Sequence, residues 1–369
     1  MNKIGLAMIV KDESHIIERC LDSVRSLVDY ILIFDTGSTD DTKTKISEWM
    51  TRYEILGQII DSPWVNFGHN RTEVIQEMRS IDVDYCLMID ADEVLVYDPD
   101  FDPHGFKSSL DLQVYDILTK SSGVSYKRPQ LISNRKYFRY EGAVHEFLVV
   151  NGSESRGDAL GFYNSPIQDS NRNRGTISKF KNDVDLIEKE LKKEGLSEYM
   201  ISRYTFYLAQ SYRDLGDSQS AIRNYKIRSS QGFWKEEEFI SLYNIAKIKN
   251  ESNLASKEEV LQDFYKSFEH SPHRIEPLYW IMNICRLNGW NQQGYMVGKI
   301  ALTKLNPNPQ SLFLEKWIYD YGTLDEFSIC SYYSGNGDES KEICVRLLSE
   351  GKIPDSYIPR LKNNLEICG

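Results

Sequence analysis

Three acids, Asp90, Asp92 and Glu93, close the stretch Tyr85-Cys86-Leu87-Met88-Ile89-Asp90-Ala91-Asp92-Glu93, and no glycine or proline separates them from the apolar run before. Two aspartates one position apart, where a chain begins to turn, can aim at one point. A small hard cation with oxygen ligands suits that point, and such a cation commonly also holds substrate phosphates. The same residues also suit a turn in which one Asp caps the backbone and the others are solvated, so their meaning depends on what positions them. The unbroken run Tyr85 to Ile89 reads as a strand buried on both faces, because a sheet covered by helices on each side gives no reason for alternation. The acids then lie at the strand's carboxyl end, where open α/β sheets bind their ligands.

The preceding chain supplies the rest of such a sheet. Ile4 to Val10 is an apolar strand ending in Lys11-Asp12-Glu13, and Ser14 is expected to cap a helix running to about Leu27. Tyr30 to Phe34 is a second strand, followed by Asp35-Thr36-Gly37-Ser38-Thr39-Asp40-Asp41-Thr42, a glycine turn that opens a second helix. A third strand is expected at 55–60 and a third helix at 69–78. Strand and helix alternating in this way predict an α/β fold with a doubly wound, mostly parallel sheet, and all the acid clusters fall on one edge of it. Arg71 follows Asn70 at the start of the third helix, where a guanidinium and backbone donors could face phosphate oxygens. Between Val94 and Phe162 helical periodicity disappears. Short strands are expected at 114–118, 123–126, 137–140 and 143–150, forming an antiparallel appendage that could wall the acceptor side of a site.

From about Ser178 the chain reads as helix after helix. Tyr204 to Asp217, then Ala221 and Tyr225, carries the aromatic, small-residue and Leu-Gly spacing of a tetratricopeptide helix pair. Weaker echoes begin near Tyr243 and Leu278, roughly 36 residues apart. At 369 residues two domains are expected, and 41% hydrophobic with 27% charged residues leaves no case for global disorder. A net charge of −11 argues against general binding to nucleic acid or an anionic membrane. Six scattered cysteines without zinc spacing read as reduced thiols. The first residues read as a strand and not a leader, and no stretch approaches the roughly 18 apolar residues of a membrane span. The expected location is therefore cytoplasmic, and the sequons at Asn70, Asn151 and Asn250 are read as chance matches.

Val10-Lys11-Asp12-Glu13, Phe34-Asp35-Thr36-Gly37-Ser38-Thr39-Asp40 and Ile89-Asp90-Ala91-Asp92-Glu93, in this order and spacing, resemble family 2 glycosyltransferases of the GT-A fold. Trp64 to Arg71 and Gly142 to Glu146 are similar to a subgroup of that family, and the helical half looks like the tetratricopeptide-like helices fused to it in some bacterial and viral chains. The resemblance implies a Rossmann-like GT-A domain over residues 1–170 and an all-α tetratricopeptide-like domain over 171–369. It implies a nucleoside-diphosphate sugar donor, most often a UDP-sugar, with Asp35 on the base and Val10, Lys11, Asp12 and Glu13 flanking the nucleotide. Asn70, Arg71, Asp90 and Ala91 belong to the same donor side. Asp92, with Asp90 close by, would bind Mn²⁺ or Mg²⁺ bridging the diphosphate, or Asp90 would contact the ribose. The family's Glu-Asp pair, a frequent source of the general base, is missing. Glu146 is expected in that role, His145 as a third metal ligand and Asp169 as the reserve base. The acceptor would be a glycan, a lipid-linked molecule or a protein, and the helical domain could support a homo-oligomer.

Two other readings compete. A nucleotidyltransferase would want a Gly-rich basic phosphate loop after the first strand, which Val10-Lys11-Asp12-Glu13 lacks. A tetratricopeptide scaffold with a dead sheet domain would have no need of intact Asp35, Asp90 and Asp92. The polar run 169–175, with Arg172 and Arg174, is expected to be either a linker or a lid over the donor.

Overall fold

Seven residues, Ile4–Val10, all but Ile9 buried, form β1 near the middle of an eight-stranded sheet. The computed structural model describes every residue except 122–123, 168, 171–175, 310 and 369. β1 runs parallel to β2 (Tyr30–Asp35) and β4 (Tyr85–Met88), and β2 parallel to β3 (Leu56–Asp61). The crossovers are α1 (Ile17–Val24), α2 (Thr42–Tyr53) and α3 (Phe67–Met78). Ile17, Cys20, Leu21 and Val24 of α1 and Trp49 of α2 pack on one face, while Val74, Ile75 and Met78 of α3 pack on the other. Both faces are covered, which is why the strands read as unbroken apolar runs. At Gly5 a Cβ would lie 2.6 Å from the Met78 sulfur, so the glycine lets α3 sit tightly on β1.

After β4 the chain continues through β5 (Glu93–Tyr97), α4 (Pro103–Ser109), β6 (Val114–Ser121), β7 (Val124–Ser133), β8 (Tyr140–Glu141), β9 (Phe147–Leu148) and β10 (Arg156–Pro166). The expected antiparallel appendage is instead an extension of the same sheet, whose order is β3-β2-β1-β4-β7-β6-β10-β5. β7 is antiparallel to β4 and β6, and β10 is parallel to β6 and antiparallel to β5. The strand expected at 143–150 is broken, because Gly142 (φ 107°) and His145 (φ 50°) turn the chain and leave only the small β8–β9 hairpin. β10 was not anticipated: Gly157, Gly161 and a register shift between Ala159 and Asn164 hide its alternation. Ser14 does not cap α1. Its N–H donates to Asp40, and the helix starts at Ile17 without a side-chain cap.

The chain divides into two compact units, Met1–Lys193 and Glu194–Gly369. The boundary expected at 170/171 therefore moves to the far end of α5 (Thr176–Leu191). Periodicity identifies such a helix but does not say which body it belongs to. Of the run expected to be lid or linker, 171–175, including Arg172 and Arg174, lie outside the described residues.

The second unit is built of α6 (Glu198–Asp214), α7 (Ser218–Arg228), α8 (Lys235–Glu251), α9 (Lys257–His270), α10 (Glu276–Leu287), α11 (Asn291–Ala301), α12 (Thr323–Tyr333), α13 (Gly337–Glu350) and α14 (Ile358–Cys368). Consecutive helices pair as tetratricopeptide-like hairpins around one core, in which Phe206, Ala209, Ala221 and Tyr225 hold the first pair. Ser197, Asp217 and Ser256 cap α6, α7 and α9 with their side-chain oxygens. The pair α12–α13 escaped the repeat reading because a longer link and a π-helical turn at Ile318–Gly322 precede it and break the spacing.

Candidate active site

Asp35 is the last residue of β2 and is 1% exposed. Its Oδ1 accepts from the backbone N–H groups of Gly37 (2.9 Å) and Ser38 (2.7 Å), a tight turn that places Gly37 at φ 106°. Its Oδ2 is buried and has no hydrogen-bond partner among the described residues. A buried acceptor left unpaired costs about 1–3 kcal/mol, so this oxygen calls for a donor from outside the chain.

The turn after Asp35 is clasped to the end of β1. Thr36 donates through N–H and hydroxyl to the Val10 carbonyl (2.9 and 3.0 Å). Asp12 lies at φ 55°, donates its N–H to Ser38 Oγ (2.9 Å) and accepts from Thr39 N–H at Oδ1 (2.7 Å). Glu13 N–H donates to Thr42 Oγ1 (2.8 Å), and Ser14 N–H to Asp40 (3.1 Å). Slight burial works to raise the Asp40 carboxyl, but the donors of Thr42 and Ser14 outweigh it and hold it at about 2. Val10 and Asp12, expected to flank the nucleotide, spend these polar groups on the clasp. Lys11 is exposed and Glu13 buried.

Asn70 was also expected to face the donor. It is fully buried and organises the loop before α3: Oδ1 accepts from Val65 N–H (3.0 Å), and Nδ2 donates to Ser62 Oγ (3.2 Å) and the Pro63 carbonyl (2.9 Å). Arg71, one residue on, points to the acids. Its Nη2 donates to Asp90 Oδ1 (2.5 Å) and its Nε to Glu146 Oε1 (2.7 Å). Glu146 reaches Arg71 because the backbone reverses at Gly142 and His145, and because Gly68 N–H bonds the Gly142 carbonyl (3.1 Å). The second oxygen of Glu146 makes no hydrogen bond among the described residues.

Glu93 lies beside Asp90, accepting the Asp90 N–H (3.1 Å) and pairing with Arg128 of β7. Burial, and then the Asp90 charge, push the Glu93 carboxyl up, with Arg128 opposing. Burial by itself would weaken the hold of Arg71 on its proton, but Asp90 and Glu146 outweigh it and keep the guanidinium charged. Arg71, Asp90, Glu93, Arg128, Tyr140 and Glu146 line a cleft of about 380 Å³. Arg128 and Tyr140 were missed in the sequence, since each sits in a short polar stretch where nothing marks a site. Only the β7 pairing to β4 and the hairpin beneath α3 bring them in.

Asp169 does not line that cleft. Both its oxygens accept from Arg19 (2.7 and 2.8 Å), and its carbonyl lies 3.0 Å from His15 Nε2. The bond from Arg19 holds its carboxyl below the ordinary range, a poor setting for the reserve base expected of it. His145 is exposed, and no three His, Cys, Asp or Glu side chains among the described residues converge on a metal position. The set Asp90, Asp92 and His145 expected around a cation is therefore not assembled by the protein alone. Asp92, whose carbonyl accepts from Ile167 N–H (2.8 Å), and Asp90 still offer two oxygen donors one position apart. That suits Mg²⁺ or Mn²⁺, which are commonly held by one or two carboxylates and completed by substrate phosphates.

Residues 6–107, which contain the Asp35 turn, Arg71, Asp90, Asp92 and Glu93, match the family model described as Glycosyl transferase family 2. This stretch of the amino-terminal unit is similar to glycosyl transferase family 2. An uncharacterized glycosyltransferase of Rickettsia felis is 22% identical over 253 residues, 63% of this chain and 77% of that protein. A TPR repeat-containing protein of Synechococcus elongatus is 28% identical over 153 residues, 40% of this chain. The chain spans only 36% of that relative's length. Among solved structures, S. aureus TarS 1–349 aligns with 90% of this chain and 92% of its own, at 11% identity and a TM-score of 0.35. The stretch similar to family 2 lies in the first unit, and the helical hairpins follow it in the second.

Proposed function

We propose that this chain transfers a glycosyl group from a nucleoside-diphosphate sugar, a UDP-sugar, to an acceptor hydroxyl with inversion at the anomeric carbon. The observation that carries the reading is the buried, unpartnered Oδ2 of Asp35, at the same sheet edge as Asp90 and Asp92 in a family 2 domain. A nucleobase N–H is the donor that oxygen lacks. Asp92 and Asp90 would hold Mn²⁺ or Mg²⁺, which supplies neutralisation of the charge that grows on the departing diphosphate.

In the transfer the acceptor oxygen bonds to the anomeric carbon as the bond from that carbon to the diphosphate oxygen breaks. The hydroxyl proton goes to Glu146, a residue of the cleft lining. Arg71 pairs with both Glu146 and Asp90, which orients the base and sets a cation between the two carboxylates. The clasp of Asp12, Ser14 and Asp40 holds the Asp35 turn ready, so little ordering is left to binding.

Calorimetry with UDP tests the reading at its supporting atom. The Asp35→Ala protein should bind UDP roughly ten- to a hundredfold more weakly, the loss expected for one buried hydrogen bond. Unchanged affinity in a folded variant would remove Asp35 from the donor site.

A further inference from the structure

In the helical unit, α10, α12 and α14 are cross-linked by polar pairs. Asn283 and Arg286 of α10 donate to Glu326 of α12 (2.8 and 2.6 Å), and Arg360 of α14 donates to both oxygens of Asp325 (2.9 and 2.8 Å). Beside these pairs runs a groove of about 440 Å³ lined by Arg286, Asn291, Tyr332, Tyr333, Arg360 and Asn364 among others. That size falls within the roughly 300–1,000 Å³ of small-molecule sites.

Its chemistry is specific. Each arginine is matched by a buried carboxylate, so the pairs leave no net charge to attract a phosphate or an acidic chain. Arg286 uses Nε and Nη2 and Arg360 uses only Nη2, which leaves guanidinium N–H groups beside carboxylate acceptors. Asn291 Oδ1 is buried and has no partner among the described residues, an acceptor waiting at the groove wall. Tyr332 and Tyr333 stand edge to face at 5.3 Å, and Tyr333 is 67% exposed. Donors and acceptors side by side, no net charge and an open aromatic ring match a molecule with vicinal hydroxyls on an apolar ring. A carboxylate or phosphate ligand would want unopposed cations instead.

We propose that this groove binds a neutral saccharide and serves as a docking subsite for a glycan acceptor. The acceptor role rests on the glycosyl-transfer reading, while the binding itself can be measured apart from it. The probes are maltotriose, cellotriose and chitotriose, with a hexaglutamate peptide as the acidic alternative, followed by saturation-transfer NMR on the full chain. At least one trisaccharide should bind, and Tyr333→Ala, at an exposed position, and Asn364→Ala, at a half-buried one, should each weaken it roughly tenfold. UDP affinity, read on the same samples, should stay unchanged in both variants. The proposal is overturned if no trisaccharide binds, if both variants bind as the parent does, or if only the peptide binds. A chain that binds a trisaccharide here but no nucleotide would keep the saccharide site and lose the transfer reading.

Discussion

Arg71 Nη2 lies 2.5 Å from Asp90 Oδ1, tying the first turns of α3 to the end of β4, and the same guanidinium holds Glu146 through Nε. Arg71→Ala would leave two carboxylates facing one another, with side-chain exposures of only 34% and 15%. Loss of the shared partner from such a partly buried network is expected to cost about 2–4 kcal/mol, somewhat under the figure for a fully buried pair. Urea denaturation of the parent and variant measures it. A loss below about 1 kcal/mol would show that the two acids do not need this cation.

Glu146 has two candidate duties that one variant separates. Glu146→Gln keeps the shape and the contact with Arg71 but removes the proton-accepting charge. As the base, it should lower turnover by roughly 10²–10⁴ with donor and Mn²⁺ affinity intact. As a residue that merely orients the metal site, it should weaken Mn²⁺ binding by about ten- to a hundredfold. Near-normal turnover would dismiss both duties.

Acid should loosen the Asp35 turn through Asp40. Its folded value of about 2 lies below the ordinary 3.8, so the folded chain takes up this proton less readily than the unfolded one. The contribution is complete above the ordinary value and is lost as pH falls from about 4 towards 2. Asp40→Asn removes the titration, so between pH 4 and 2 its melting temperature should fall less than that of the parent. Parallel curves would mean that Asp40 contributes nothing to acid sensitivity.

The sheet was legible because burial on both faces leaves a plain signature: β1, β2 and β4 are runs of apolar residues, each ending in polar chemistry. The Asp35 turn and the Asp90-Ala91-Asp92 exit were readable for the same reason, since chemistry at a sheet edge sits where a local pattern stops. What stayed illegible was non-local. Asn70 and Asp12 carry side chains suited to a ligand, yet the fold spends them on Val65 and Thr39, partners that no spacing rule identifies. Glu146 could be placed in the site only because His145 adopts φ 50°, a turn that the run Ala143 to Val150 does not announce. Arg128 became part of the cleft through the antiparallel pairing of β7 with β4, which no adjacent motif encodes.

Donor chemistry decides most directly whether this chain transfers a glycosyl group. A panel of nucleoside-diphosphate sugars should be incubated with the full chain and Mn²⁺ in the absence of acceptor, and the release of free sugar and nucleoside diphosphate followed. At least one UDP-sugar should be hydrolysed slowly, and EDTA should suppress the reaction. No hydrolysis and no binding of any nucleotide sugar, or release of pyrophosphate from a nucleoside triphosphate instead, would contradict the assignment of glycosyl transfer.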